Sequence, residues 1–185
     1  QHRAAVGGRW DEIGRLQFDA LCAAGLEPGH RLLDVGCGAL RGGVHFIPYL
    51  APGHYHGFDI NPDLIATGRR EELSDALRAR APEANFCTGE AFDFAFGDTR
   101  FDYALAVSLF THLSQNKVEL CLARLRGWMV PGGIVLCHLL RGPRRGRPGR
   151  PGDPGRRHPH LGVSEPVPLH PLPDPCHGGA HRLAG

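Results

Sequence analysis

The chain has no pair of cysteines spaced CxxC. Its six cysteines, Cys22, Cys37, Cys87, Cys121, Cys137 and Cys176, are scattered along 185 residues. That scatter argues against a zinc site, so no metal is expected, and it fits reduced thiols in the cytosol. No positively charged segment followed by an apolar run stands near the N-terminus, and no apolar stretch is long enough to cross a bilayer. A soluble cytoplasmic protein with no membrane partner is expected. An excess of one charge is missing too: 21 Lys and Arg against 19 Asp and Glu leave +2 at pH 7, which singles out no partner. Gln1 stands first instead of methionine, so the sequence is expected to lack its true start.

Apolar periodicity is present through residue 140. Ile13, Leu16, Ala20 and Ala24, with Leu21 beside them, recur at helical spacing until Gly25 and Pro28-Gly29 stop the pattern. Arg31 to Val35 reads as a buried strand and "VHFIPYL" as a helix bent or ended near Pro48. "HYHGF" is a second strand, with His54 and His56 on its exposed rim, and Asn61-Pro62 caps the helix that follows. "ANFCT" and "RFDYALAV" supply two further strands. A helix follows over Ser114 to Met129, and "PGG" at 131–133 turns the chain into "IVLCHLL", a fifth strand. This alternation predicts the α/β class: a Rossmann-like, doubly wound, mostly parallel sheet with flanking helices.

Beyond Leu140 periodicity is missing. Residues 141–185 hold ten of the 16 prolines and eight arginines against Asp153, Glu165 and Asp174, whereas the body carries 13 basic and 16 acidic side chains. Such composition buries too little apolar area to offset ordering, so residues 1–140 are expected to form one domain and 141–185 a disordered tail without strands. The tail also resembles a GC-rich coding sequence read in a shifted frame.

In "RLLDVGCGALRGG" (31–43) glycines follow a strand and open a helix, a geometry that brings a ligand against bare main chain at the carboxyl edge of a sheet. Gly36 and Gly38 matter most. Dinucleotides, mononucleotides and S-adenosylmethionine all use such loops, but a dinucleotide fingerprint needs a third glycine where Arg41 stands. Asp59 lies about 20 residues past the loop, where a carboxylate can grip both ribose hydroxyls.

"LLDVGCG" resembles the first motif of class I S-adenosylmethionine-dependent methyltransferases of the small-molecule type, and the likeness continues in order over roughly residues 6 to 140. It implies S-adenosylmethionine as cofactor, with Asp34 near the methionyl ammonium and Gly36, Cys37 and Gly38 against its backbone. Asp59 would hold the ribose and Ile60 would pack on adenine. "TGEAFDF" implies adenine contacts from Glu90 and Ala91, with Phe92 as a packing residue. "FDYALAVSLFTHL" implies Val107 and Ser108 beneath the methionyl part. Two departures stand out: Leu40 occupies the place of the family's third loop glycine, and the two C-terminal strands of the seven-stranded fold are apparently missing, which would leave an open sheet edge.

The implied activity is transfer of a methyl group to a small-molecule acceptor by direct displacement, in which positioning the nucleophile counts for much. His112, just after the fourth strand, is the candidate base if the acceptor must lose a proton. Competing readings stay open. The glycine loop could be a structural turn, Asp59 a helix-flanking acid, Glu90 a solvated carboxylate and His112 a loop-orienting residue. An NAD(P)-dependent oxidoreductase shares the fold, and a non-catalytic remnant could bind nucleic acid through its basic tail alone. No "NPPY"-like sequence follows the fourth strand, which disfavours methylation of a flipped base, and the acidic body disfavours nucleic-acid partners.

Overall fold

The computed structural model describes Arg3, residues 9–107 and 109–138, and Val167–Pro168. Along the chain the elements are α1 (Trp10–Ala23), β1 (Leu32–Val35), α2 (Gly43–Tyr49), β2 (Tyr55–Asp59), α3 (Pro62–Glu72), α4 (Asp75–Arg80), β3 (Phe86–Thr88), β4 (Phe101–Ala106), α5 (Gln115–Arg126), β5 (Met129–Cys137) and β6 (Val167–Pro168). They build one sheet in the order β3-β2-β1-β4-β5-β6. The first five strands are parallel. The chain runs outward from β1 to β3 and then returns to the other side of β1 as β4. The loops after β1 and β4 therefore diverge and leave a crevice at the carboxyl ends of the strands.

All four residues of β1 are buried, as a central strand covered on both faces requires. Its side chains alternate. Leu32 joins Phe46, Tyr55 and Leu105 on the face covered by α1 and α2, and Leu33 and Val35 join Phe58, Phe101 and Leu125 on the opposite face. Alternation puts Asp34 on the face of Leu32, under α1 and α2. The cap of α3 forms as the sequence predicts: Asn61 Oδ1 accepts from the Asp63 and Leu64 N–H groups at 3.0 and 3.3 Å, with Pro62 next.

Four expectations are corrected. The buried stripe of α1 is Trp10, Gly14, Gln17 and Leu21, and Leu16 is 57% exposed. The helix is rotated because Gly14 faces the glycine loop, where an added Cβ would lie 2.5 Å from the Arg41 carbonyl oxygen. Pro131–Gly133 do not precede the fifth strand but lie within β5. There the register jumps from Phe101↔Met129 to Tyr103↔Ile134, because proline cannot donate to the ladder and Gly132 takes a φ of +80°. His56 is buried, not on a rim, and packs edge-on against Phe96 and Phe101 at 5.1 and 5.0 Å. Finally, a strand does follow the fifth: Val167–Pro168 pairs antiparallel with Val135 and Ile134 and covers part of that edge. The expected disorder of the rest of 141–185 lies outside the described residues.

Helix α3 also meets the glycine loop closely, since a Cβ on Gly68 would overlap the Ala39 main chain. Gly68→Ala is expected to destabilise the protein by about 1–3 kcal/mol in urea unfolding. Gly29→Ala, which would meet nothing within 4 Å, is expected to be near neutral.

Candidate functional site

The loop after β1 is held by the end of β2. The Gly36 and Cys37 N–H groups both donate to the Phe58 carbonyl, at 2.7 and 3.1 Å. The Gly38 N–H donates to Asp59 Oδ2 at 2.8 Å, and the Asn61 N–H donates to Asp59 Oδ1 at 2.9 Å. Each carboxylate oxygen accepts one of these bonds and retains a lone pair for a further donor. Gly36 and Gly38 lie at φ +82° and +50°, in the left-handed region. Leu40, standing where a third glycine was expected, takes the same kind of turn at φ +68° and is fully buried. The strain of about 1–2 kcal/mol for a non-glycine residue is offset by burying a leucine side chain, worth about 1.5–3 kcal/mol. The far end of the loop thus keeps a glycine-like turn while its side chain enters the core.

Asp34 sits beneath the loop, 5% exposed, and its Oδ2 accepts from the Tyr55 hydroxyl at 2.8 Å. Burial pushes its carboxyl up to about 7. The Tyr55 hydrogen bond and the nearby Arg41 guanidinium oppose that rise, and the Asp59 charge adds to it. Beside it runs a small cleft of about 30 Å³ lined by Gln17, Asp34, Gly36–Gly38, Arg41 and Val107. Gln17 is 8% exposed, and its Oε1 has no hydrogen-bond partner among the described residues. A Cβ on Gly42 would lie 2.7 Å from that oxygen, so glycine leaves room for the amide. On the other side of Gly36 a second, apolar cleft of about 70 Å³ is formed by Phe58, Ile60, Phe92, Leu109 and Leu113, with Asp59 and Glu90 at its polar margin. The two clefts meet at Gly36, whose outer side faces the Leu109 side chain at 3.4 Å from where a Cβ would stand.

Of the residues singled out from the sequence, Asp34, Gly36, Cys37, Gly38, Asp59, Ile60 and Glu90 converge on these two clefts. The Cys37 side chain faces away: its Sγ would lie 2.9 Å from a Cβ on Gly57, and burial pushes its thiol well up. Ala91 borders neither cleft. His112 is exposed on the turn after β4, its N–H donating to the Leu109 carbonyl, and lines neither cleft. Ser108 lies outside the described residues. Sequence reasoning missed Gln17, Tyr55, Leu109 and Leu113, and met Arg41 only as a missing glycine. Gln17 reads as a surface residue of an amphipathic helix and Tyr55 as an ordinary strand aromatic, so no local signal marks either. A roomier cavity, about 530 Å³, lies elsewhere, between α3 and β3. Its Arg69 and Arg78 are engaged with the carbonyls of Ala81 and Arg69, so it reads as a structural cleft.

Among the described residues, no group of three His, Cys, Asp or Glu is placed to hold a metal, and no helix is long and apolar enough to cross a membrane.

A family model described as "Methyltransferase domain" matches residues 33–135. A protein-L-isoaspartate O-methyltransferase of Rhodopseudomonas palustris is 29% identical over 130 residues, 66% of this chain and 49% of that protein. A fatty-acid O-methyltransferase of Mycolicibacterium smegmatis is 30% identical over 129 residues, covering 68% and 44%. In three dimensions the chain is similar to an amino pentose methyltransferase from Micromonospora echinaspora, solved with S-adenosylmethionine bound, at a TM-score of 0.56 and 23% identity over 78% of this chain and 56% of that one. The chain spans about half the length of the curated relatives it matches, or less.

The Asp34 carboxyl gives the fold a pH signature. With its pKa raised from 3.8 to about 7, the folded state holds more protons than the unfolded chain between those values. Its contribution to stability therefore declines as pH rises from about 4 to about 7. Asp34→Asn, which still accepts the Tyr55 bond, is expected to gain on the wild type by roughly 1.4 kcal/mol per pH unit across that window in urea unfolding, and not below it. His56, lowered to about 4 by burial, titrates in the opposite sense but is common to both proteins and cancels in the comparison.

Proposed function

The chain belongs to the methyltransferase domain family, and from that premise we propose that it is the cofactor-binding part of an enzyme that methylates a small-molecule acceptor with S-adenosylmethionine. The observation that carries this reading is the meeting of Asp34 and the unpartnered Gln17 Oε1 beside bare Gly36–Gly38 main chain, with Asp59 next to an apolar cleft. The chemistry of the donor set fits the cofactor part by part. Asp34 and Gln17 Oε1 are acceptors for an ammonium, and the Arg41 guanidinium in the same cleft is a donor for a carboxylate. Asp59 has lone pairs left for ribose hydroxyls. Ile60, Phe92 and Leu113 supply apolar walls for a base, with Glu90 at the margin. The Ile60 side chain, 61% exposed, gains cover from such a ligand.

When bound, the cofactor supplies an electrophilic methyl group on a sulfonium whose departure leaves a neutral thioether. The chain's part is to hold the adenosyl and amino-acid ends across Gly36, with Val107 at the inner cleft and the Leu109 side chain displaced. His112 is the proposed base for an acceptor that must lose a proton. A small acceptor is supported by the acidic balance of residues 1–140 and by relatives named for a fatty acid and a sterol. Relatives with such different acceptors match over similar lengths of this chain, 137 and 129 residues, which fits a domain that serves a shared cofactor and leaves acceptor choice to other parts of the protein.

S-adenosylhomocysteine is expected to raise the melting temperature and to release or absorb heat in calorimetry, and NADH to do neither. Asp59→Ala should weaken that binding at least about tenfold. No heat with S-adenosylhomocysteine on folded wild-type protein would sink the cofactor reading. Gln17→Met separates function from folding: removing a buried amide whose oxygen is unpartnered is expected to stabilise the free protein by about 1 kcal/mol while lowering affinity for S-adenosylhomocysteine.

A further inference from the structure

The geometry points to Tyr55 as a positioning residue for the cofactor's ammonium: its hydroxyl orients the Asp34 carboxylate and favours the charged form that a cation requires. The inference rests on the cofactor reading above and adds to it a residue that touches no ligand. Tyr55 is 1% exposed. Its ring lies between Phe46, stacked at 6.5 Å, and Phe86 at 6.0 Å, so the phenol has little freedom to turn. Its hydroxyl donates to Asp34 Oδ2 at 2.8 Å. Gly43 makes that approach possible, since a Cβ there would come within 3.0 Å of the Tyr55 oxygen. One carboxylate oxygen is thereby committed to the phenol, in a residue that lines the cleft shared with Gln17.

The titratable groups around Asp34 define what the phenol does. Asp59, at the end of β2, disfavours charge on Asp34. Arg41, from the loop, favours it. Cys37 is held as a neutral thiol by burial, and α1 contributes only the amide of Gln17. Tyr55 is the group that donates a hydrogen bond directly to the carboxylate, and a donor to the charged form stabilises that form. Its own phenol is pushed well up by burial and by Asp34, so it remains a donor. A cationic ligand needs Asp34 ionised, so its binding releases a proton from whatever fraction of Asp34 is protonated.

The test is calorimetry of wild type and Tyr55→Phe with S-adenosylhomocysteine and with 5′-methylthioadenosine, which has the nucleoside and thioether but no amino-acid end, between about pH 6 and about pH 8. Wild-type affinity for S-adenosylhomocysteine is expected to rise with pH. In Tyr55→Phe that rise should move to higher pH and affinity near neutrality should fall about tenfold to a hundredfold, while 5′-methylthioadenosine binds both proteins equally. An unchanged pH profile, or equal weakening of both ligands, overturns the positioning role. Failure of the wild type to bind either ligand overturns the cofactor reading instead. Should Tyr55→Phe not fold, uniform 3-fluorotyrosine keeps the hydroxyl and strengthens the donor. The profile is then expected to shift to lower pH, and an unshifted profile overturns the inference.

Discussion

The Asp59 carboxylate ties the two halves of the crevice together. One oxygen takes the Gly38 N–H and the other the Asn61 N–H, so a single buried side chain fixes the loop after β1 against the turn that starts α3. Charge-assisted bonds to amide donors are among the stronger ones a protein makes. Among the described residues, the loop's other hydrogen bonds to β2 are those of the Gly36 and Cys37 N–H groups to the Phe58 carbonyl. The position that the dinucleotide and methyltransferase patterns assign to ribose recognition is therefore also the position that shapes the glycine loop.

Around that bridge the loop is supported by the absence of side chains on its neighbours. Gly14 on α1 approaches the Arg41 carbonyl, Gly57 on β2 makes room for the Cys37 thiol, and Gly68 on α3 accommodates Ala39. Two of these elements, α1 and α3, thus pack directly on loop main chain and β2 packs on the Cys37 side chain, which explains how the loop stays ordered although it is rich in glycine, the residue that loses most entropy on folding. Leu40 completes the arrangement from the other direction. It accepts a left-handed turn and anchors the loop by its own burial among Phe46 and Tyr55.

Two neighbouring carboxylates end up with different characters. Asp59 is satisfied by two amides, whereas Asp34, deeper under α1 and α2, has one phenol and otherwise apolar or cleft-facing surroundings. Environment, not residue type, separates an acid suited to neutral hydroxyls from one suited to a cation.

Much of this was legible in the chain itself. The apolar run ending in Asp34, the glycines that follow it, the Asn61-Pro62 cap and the spacing to Asp59 are local patterns, and local dihedral and hydrogen-bonding preferences place them without help from distant residues. The phase of α1, the burial of His56 and the bulge at Pro131–Gly133 were not legible, because each depends on what another element presents. Gln17, Asp34, Arg41 and Tyr55 lie on four segments, and nothing within a few residues of any of them records the others. The sequence by itself determined a doubly wound sheet with a ligand loop at its carboxyl edge. Only the tertiary structure decided that the buried Gln17 Oε1 stands unpartnered beside that loop and how strongly Asp34 resists its charge, since desolvation and hydrogen-bond satisfaction belong to the packed assembly and not to any stretch of chain.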